Sequence, residues 1–208
     1  MCNFTVKIGG IMGNRSADVQ RKTKETEVSL SLSLDGRGHY QGSCGVGFMD
    51  HMLELLTKHG SFDLLIKATG DREVDDHHLV EDVGICLGRA LKKALRDARG
   101  LVRFGWASCP MDEALAQVAI DLSGRAFLVF NATFPAEKIA TFDTALLEEF
   151  LRALATNAAL TLHINVPYGK DAHHIAEAIF KALAKALRQA TRLEGDRKEI
   201  PSTKGVID

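Results

Sequence analysis

The pattern His-His-x-x-Glu occurs twice in this chain of 208 residues. The first copy is His77, His78 and Glu81, and the second, 96 positions later, is His173, His174 and Glu177. Two further histidines, His51 and His163, precede the copies, so six of the chain's eight histidines lie close to them. Imidazole together with carboxylate suits Mn, Fe, Co, Ni or Zn. The repetition therefore predicts metal chemistry, with two metal ions rather than one.

Helix geometry predicts how each copy would divide its ligands. Residues four apart on a helix share a face, whereas adjacent residues point about 100° apart. We therefore expect His77 and Glu81 to serve one ion and His78 another, and the same division in the second copy. No cysteine joins the set, which favours an open catalytic site over a structural zinc site. The remaining histidines, His39 and His59, have no such partners and are expected to be structural.

Hydrophobic periodicity predicts the elements that position the first copy. Apolar and polar residues alternate along 28–34, which indicates a half-buried strand, and Asp35-Gly36 is expected to turn that strand back in a hairpin. A helix is predicted over about Met49–His59 and a strand over Phe62–Ala68. His77 then opens an amphipathic helix with a leucine or valine at every fourth position, and Gly100 is expected to end it.

The second half repeats this order. A strand over 115–122 is expected to pair with Ala126–Asn131 in a hairpin, and a helix is predicted over 144–157. The next strand should bury Leu162 and Ile164 and leave His163 on its other face. Its final helix repeats the apolar positions of the first half at the offset of 96, while Glu25 matches Glu113 at an offset of 88. The sequence therefore predicts an α+β fold, a duplicated ββαβα unit with helices packed on antiparallel or mixed sheets.

Composition excludes several functional classes. The net charge of −1 gives no overall field that would favour nucleic acid or a membrane surface. No apolar run approaches the roughly 18 residues that a spanning helix needs, and the N-terminus lacks the continuous apolar stretch of a secretory signal. The four cysteines show no paired spacing, as expected of thiols in a reducing compartment. We therefore expect a cytoplasmic protein without nucleic-acid or membrane partners.

Motifs along nearly the whole chain, from about Arg21 to Val206, resemble the imidazoleglycerol-phosphate dehydratase family. The motifs that carry the resemblance are Asp50-His51-Met52-Leu53, Gly70-Asp71, Asp76-His77-His78-x-x-Glu81-Asp82, Arg103-Phe104-Gly105, Asp112-Glu113-Ala114-Leu115, Asp121-Leu122-Ser123-Gly124-Arg125, Thr161-Leu162-His163, His173-His174-x-x-Glu177 and Phe180-Lys181-Ala182. The resemblance implies a lyase of histidine biosynthesis that converts imidazole glycerol phosphate to imidazole acetol phosphate and water. It also implies a duplicated fold of the ribosomal protein S5 domain 2-like type.

The resemblance also implies a cofactor, an assembly and a set of site residues. Members of this family use manganese, with two Mn²⁺ expected per active site, and assemble into 24-subunit shells with active sites between subunits. The implied metal ligands are His51, His77, His78, Glu81, His163, His173, His174 and Glu177. The implied acid/base carboxylate is Glu25. The implied phosphate contacts are Arg103, Arg125, Lys181, Ser202 and Lys204, since Arg offers a bidentate fork and Lys a point charge.

The chain departs from the family pattern at two places. Leu55 replaces a glutamine that some members carry near the substrate, and Asp171 stands where asparagine often precedes the second His-His pair. The expected organisation is an N-terminal extension over 1–20, a first half over 21–105, a second half over 106–200 and a tail over 201–208, the two halves packing as one catalytic unit.

Two other functions remain open from the residues alone. A dinuclear metallohydrolase would use the same ligands to cleave a phosphate ester and would release phosphate. A protein that binds metal or forms a shell without catalysis would explain the repeat, but it would leave Arg103, Arg125 and the Ser202–Lys204 segment without a role.

Overall fold

A computed structural model describes residues 15–195 and 199–207. The first half contains β1 (Ser16–Lys22), β2 (Thr26–Ser33), β3 (Tyr40–Ser43), α1 (Gly47–Gly60), β4 (Asp63–Gly70) and α2 (His77–Leu95). The second half contains β5 (Phe104–Met111), β6 (Ala114–Asp121), β7 (Phe127–Asn131), a short β8–β9 hairpin (Lys138–Ile139 and Phe142–Asp143), α3 (Ala145–Ala158), β10 (Thr161–Tyr168) and α4 (Ala172–Thr191).

Each half forms a four-stranded mixed sheet of the same design. The strand orders are β1-β2-β4-β3 and β5-β6-β10-β7. In both sheets three strands run antiparallel, and the fourth pairs in parallel with the strand that follows the half's first helix. The duplicated α+β fold is therefore confirmed, and each half has a third strand ahead of its first helix.

The two expected hairpins were wrong. The chain does turn at Asp35, but β3 pairs in parallel with β4, not with β2. Likewise β7 pairs in parallel with β10, not with β6. The true hairpins lie upstream, between β1 and β2 and between β5 and β6. Turn residues in a sequence indicate that the chain changes direction, but they do not indicate which strand the next segment pairs with. Both edges of β2 and of β6 are already paired with other strands, so β3 and β7 cannot pair with them.

Other element ends differ only slightly from the expected ones. The helix opened by His77 ends at Leu95, before Gly100, because Arg96 adopts a positive φ of 56° and leaves the helical path. The strand β1 begins at Ser16, so residues 16–20 of the expected N-terminal extension are part of the first sheet. Arg15 precedes the strand without regular structure, and residues 1–14 of that extension lie outside the described residues.

The core joins the two halves through their helices. The second helix of each half covers its own sheet, α2 on β1 and β2 and α4 on β5 and β6. Each of these helices also packs against the first helix of the other half, so α2 contacts α3 and α4 contacts α1. The α1–α4 contact brings the start of α1 to the second His-His motif. No helix of the described chain is long and apolar enough to cross a membrane.

Close packing in this core depends on small residues. A Cβ added at Gly105 in β5 would lie 2.0 Å from the carbonyl oxygen of Ala186 in α4. A Cβ at Gly84 in α2 would lie 2.7 Å from the carbonyl oxygen of Phe150 in α3. The three described cysteines, Cys44, Cys86 and Cys109, are free thiols.

Candidate metal centre and phosphate-binding residues

A half-buried carboxylate fixes the start of α1 and so the position of His51. Asp50 accepts hydrogen bonds from the Tyr40 hydroxyl at 2.5 Å, the Ser43 hydroxyl at 2.6 Å and the Cys44 N–H at 2.6 Å. Burial opposes ionisation of Asp50, but these three donors outweigh it and lower the pKa of the carboxyl. Asp50 thereby ties β3 and its loop to the first turn of α1, and His51 follows it directly.

The cap of α4 fixes the second His-His pair. The Asp171 carboxylate accepts hydrogen bonds from the backbone N–H groups of His173 at 2.7 Å and His174 at 3.1 Å. A side-chain acceptor at this position satisfies N–H groups that have no partner inside the helix. The residue that departs from the family pattern therefore serves as an N-cap, and it sets the direction in which the two imidazoles leave the helix.

His51, His173 and Glu177 form a group that could hold a metal ion. Glu177 Oε1 lies 2.9 Å from His51 Nε2 and 3.1 Å from His173 Nε2. One ligand atom from each of the three residues lies within 4.8 Å of the others, and no other trio in the described chain meets this condition. Two imidazole nitrogens and one carboxylate oxygen suit a divalent first-row metal. The donor set thus fits the kind of ion that the sequence predicted.

Glu177 is held ionised in this group. Its burial favours the neutral form, but hydrogen bonds from Lys181, His51 and His173 oppose that effect and lower the pKa of Glu177 to about 2. Lys181 Nζ lies 2.6 Å from Glu177 Oε2 and also contacts the sulfur of Met111 at 3.0 Å. An ionised carboxylate is the form that a cation needs as a ligand.

His174 points away from this group. Its ring stands at 85° to that of His173, with ring centroids 6.4 Å apart, as expected for adjacent helical residues. His174 Nδ1 lies 2.7 Å from Glu113 Oε2, and its Nε2 lies 3.9 Å from Asp112 Oδ2. The hydrogen bond to Glu113 raises the pKa of His174, and the same bond is the main reason that the pKa of Glu113 falls to about 2.

In the first motif the two imidazole rings also point apart, but the described residues there do not form a group of converging metal ligands. The rings of His77 and His78 stand at 78°, and His78 Nδ1 lies 3.1 Å from Asp71 Oδ2. This bond raises the pKa of His78. Within the described residues, neither His77 nor Glu81 makes a side-chain hydrogen bond or an ion pair. The position on α3 that corresponds to His51 on α1 is Glu149, so no second imidazole faces His77 from the neighbouring helix.

Glu25 lies beside this first motif, in the β1–β2 turn. Its carbonyl oxygen accepts a hydrogen bond from the Asp71 N–H at 3.1 Å, which ties the turn to the end of β4. Its carboxylate is exposed and makes no hydrogen bond or ion pair with the part of the chain that the structure describes. The next residue, Thr26, donates its hydroxyl to the buried Asp82, and Arg21 Nε lies 2.7 Å from the same carboxylate. The turn is thus anchored to α2, with its glutamate free.

Most of the predicted phosphate contacts lie at the opposite end of the second half. The Arg103 guanidinium pairs with both Asp121 oxygens, at 2.7 and 3.2 Å, and donates to the Pro201 carbonyl at 2.7 Å. Arg125 is exposed in the turn that follows β6, and the Ser202 hydroxyl accepts the Lys204 N–H at 3.2 Å. Arg103 and the 201–204 segment thus lie at the start of β5, and Arg125 follows the end of its partner strand β6.

Within one chain, these cations are distant from the histidine group. The Arg103 N–H donates to the carbonyl of Ala190, near the end of α4, whereas His173 lies in its first turn. Seventeen residues of helix span about 25 Å. Of the predicted phosphate contacts, only Lys181 touches the histidine group.

His163 lies on the outer face of the second sheet. It is exposed there beside Trp106, Gln117 and Asn165, while Leu162 and Ile164 on the inner face are fully buried. The strand therefore has the predicted orientation, but no other predicted ligand of the described chain shares this face with His163.

Two carboxylates that contact the histidines had been given no role from the sequence. Asp71 and Glu113 belong to the family motifs, and neither was predicted to contact a histidine, although each accepts a hydrogen bond from one imidazole of a His-His pair. The match of Glu113 with Glu25 across the repeat was the signal that could have singled out Glu113.

Comparison with known proteins decides the family. The family model for imidazoleglycerol-phosphate dehydratase matches residues 44–187, which is more than half of the chain. The chain belongs to the imidazoleglycerol-phosphate dehydratase family. A member from Halalkalibacterium halodurans is 56% identical over 193 residues, covering 93% of this chain and 100% of the relative. A member from Desulforamulus reducens is 54% identical over 196 residues, covering 94% of this chain and 100% of the relative.

Solved structures of the dehydratase family agree with the fold. The imidazoleglycerol-phosphate dehydratase from Staphylococcus aureus subsp. aureus N315 superimposes with a TM-score of 0.79 at 44% identity, over 86% of this chain and 99% of that one. IGPD from Pyrococcus furiosus, in complex with (S)-C348, gives a TM-score of 0.77 at 37% identity, over 90% of this chain and 99% of that one. The family resemblance inferred from the motifs is confirmed.

Proposed function

We propose that this chain dehydrates imidazole glycerol phosphate to imidazole acetol phosphate and water, as a hydro-lyase of histidine biosynthesis. The observation that carries the proposal is the group of His51, His173 and Glu177, whose ligand atoms converge within 4.8 Å in a chain of the dehydratase family. The reaction breaks a carbon–oxygen and a carbon–hydrogen bond while leaving the phosphate ester intact. Such a reaction needs an acid/base group and stabilisation of the departing hydroxyl, and contacts to the phosphate would position the substrate.

The cofactor is proposed to be Mn²⁺, with two ions in each active site. The residues that would hold the ions are His51, His77, His78, Glu81, His163, His173, His174 and Glu177. When bound, the ions would supply Lewis acidity, which polarises the substrate and stabilises charge that develops as the hydroxyl leaves. Within one chain only three of these ligands converge, so the remaining ligands would meet across contacts between copies.

Glu25 is proposed to move the proton. Its carboxylate is exposed and has no hydrogen-bond partner in the described chain, while its turn is anchored through Thr26 and Asp82. A carboxylate that is positioned but unpaired can accept a proton from carbon or pass one to the departing hydroxyl. The aliphatic side chain of Leu55, half-buried on α1, would offer apolar contact where some family members carry an amide.

Arg103, Arg125, Lys181, Ser202 and Lys204 are proposed to bind the phosphate. Arg125 and Lys204 are exposed, and Arg103 fixes the segment that carries Ser202 and Lys204 by donating to the Pro201 carbonyl. Because the start of β5 lies about 25 Å from His173 along α4, we infer that a second copy brings its phosphate contacts to the histidine group.

This inference supports self-association into a large homo-oligomer, for which 24 subunits are expected from the family resemblance. Several large apolar side chains of the second half are exposed, as at an interface between copies: Phe104, Trp106, Phe127 and Tyr168. Such an assembly would bury these aromatic groups and could complete the ligand sets that a single chain leaves apart.

The deciding experiment is an assay of the purified protein with imidazole glycerol phosphate before and after chelation and after Mn²⁺ is restored. We expect a keto product with its phosphate retained, loss of turnover on chelation and recovery with Mn²⁺. Inorganic phosphate release without a keto product would instead indicate a metallohydrolase. Metal uptake without turnover would indicate a binding protein, and either result would overturn the proposal.

A further inference from the structure

The two β-hairpin turns of the repeat each carry a glutamate, and these two glutamates have different surroundings. Glu25 lies between β1 and β2, and Glu113 lies between β5 and β6. Both turns contact the loop that leads into the helix of a His-His pair. A duplicated unit would be expected to use equivalent residues alike, so any difference between the two turns needs a physical reason.

Glu113 is fully engaged with that loop. Its Oε1 accepts the N–H groups of Lys170 at 3.0 Å and Asp171 at 2.8 Å, and its Oε2 lies 2.7 Å from His174 Nδ1. An ionised carboxylate has no proton to donate, so Nδ1 carries the proton of this hydrogen bond. The lone pair of the neutral ring is then on Nε2. Three hydrogen bonds therefore fix both the direction of the His174 ring and its tautomer.

In the first half, Asp71 makes the equivalent contact. It is the residue directly after β4, and its Oδ2 lies 3.1 Å from His78 Nδ1. The residue directly after β10 is Gly169, which has no side chain that could do this. Each half thus provides one carboxylate for the second histidine of its pair, from the strand end in the first half and from the hairpin turn in the second.

Because Asp71 contacts His78 in the first half, the carboxylate of Glu25 is left without a hydrogen bond or ion pair in the described chain. Its turn is held by other groups, through the bond from the Asp71 N–H to the Glu25 carbonyl and the bond from Thr26 to Asp82. At the positions equivalent to Thr26 and Asp82, the second half has Ala114 and Ala178, so Glu113 itself must anchor its turn. The carboxylate of Glu113 is therefore needed to hold its turn in place, whereas the carboxylate of Glu25 is not.

We propose that Glu113 and Asp71 are positioning residues for the metal centre, and that their contacts with His174 and His78 release Glu25 for proton transfer. A carboxylate on one ring nitrogen fixes the orientation of a ligating histidine and raises its basicity, and loss of such a partner costs about 10- to 100-fold in metal affinity. This inference rests on the proposed function in assigning His78 and His174 as ligands. It concerns metal binding, however, and can be tested without turnover.

The test compares Mn²⁺ binding to metal-free full-length protein, measured from the electron paramagnetic resonance signal of free Mn²⁺, in Glu113→Gln, Asp71→Asn and Glu25→Gln. We expect the first two variants to bind at least part of their Mn²⁺ about 10- to 100-fold more weakly, with turnover restored by excess Mn²⁺. We expect Glu25→Gln to bind Mn²⁺ like the wild type and to remain inactive at any Mn²⁺ concentration.

Glu27→Gln is the matched control. Glu27 lies two residues beyond Glu25 and is exposed, and its carboxylate pairs with Lys22. Binding by Glu113→Gln and Asp71→Asn within about twofold of the wild type would overturn the proposal, as would equal weakening in Glu27→Gln or Glu25→Gln, which would indicate a general charge effect. If Glu113→Gln fails to fold, Asp71→Asn decides the result. Tight Mn²⁺ binding by a wild type that forms no keto product would remove the dehydratase function but leave this result intact.

Discussion

His51 Nε2 and Glu177 Oε1 lie 2.9 Å apart, although 126 residues separate them in the chain. His51 belongs to the first helix of the first half and Glu177 to the last helix of the second. The candidate metal group therefore depends on the packing of α1 against α4. Neither half of the repeat could build it alone.

Replacing His51 by alanine is expected to remove a metal ligand without disturbing the fold, because its side chain is 41% exposed. We expect Mn²⁺ affinity to fall by more than about 100-fold, beyond the range seen when only a partner of a ligand is lost. His39→Ala is the matched control, since the His39 side chain is 73% exposed and pairs with Asp63 at the surface. Calorimetric titration of the metal-free proteins measures both. Equal affinities for the two variants would contradict the ligand assignment.

Mixing two inactive variants tests whether a site is shared between copies. His173→Ala removes a proposed metal ligand at one end of α4, and Arg125→Ala removes an exposed cation at the other end of the second sheet. If each active site takes these groups from different chains, random co-assembly of the two variants restores about a quarter of the wild-type activity. Each variant assembled alone serves as the control. No recovery from mixed subunits would place both groups in a site within one chain.

Gly105→Ala is expected to destabilise the protein strongly. Its new Cβ would meet the Ala186 carbonyl at 2.0 Å and the Ala190 nitrogen at 2.9 Å, so β5 would have to move away from α4. Overpacking of this kind costs about 1–3 kcal/mol or more. Gly47→Ala is the control, because beyond its chain neighbours and its own helix backbone nothing lies within 4 Å of an added Cβ. The lower conformational entropy of the unfolded chain should then stabilise this variant by about 0.5 kcal/mol. Urea unfolding of the metal-free variants measures both changes.

Asp35 should contribute stability that depends on pH. Its hydrogen bond from Arg15 lowers the pKa of the carboxyl below the ordinary value of 3.8. A depressed folded-state pKa stabilises the protein above the unfolded-state value, and this contribution is lost as the pH falls through the folded-state value. Asp35→Asn should therefore unfold more easily than the wild type at pH 7, by on the order of 1 kcal/mol because the side chain is partly exposed. The difference should shrink toward pH 3.

Urea unfolding at both pH values tests this expectation, with Asp97→Asn as the control. Asp97 is 67% exposed and pairs with Arg99 two residues away, so its replacement should change stability little at either pH. A difference between wild type and Asp35→Asn that stays constant from pH 7 to pH 3 would exclude the Arg15–Asp35 pair as its source.

The elements around the His-His motifs were predictable because their signals are local. The four-residue spacing of apolar side chains along 77–95 and 172–191 is a property of one helix, and it identified α2 and α4. The alternation along β10 placed Leu162 inside and His163 outside, which the structure confirms. Strand pairing was harder to predict from the sequence, because the partner of β3 or β7 depends on which strand edge the rest of the sheet leaves unpaired.

The sequence by itself determined the donor types, the duplication and the family, because these depend on residue identity and spacing along the chain. It also indicated that adjacent histidines would diverge, since that follows from 3.6 residues per helical turn. Only the tertiary structure decided that His51 joins His173 and Glu177, that Asp71 and Glu113 hold the other two imidazoles, and that Arg103 lies at the far end of α4. Such relationships arise from packing between elements far apart in the chain, and residue spacing carries no information about those distances.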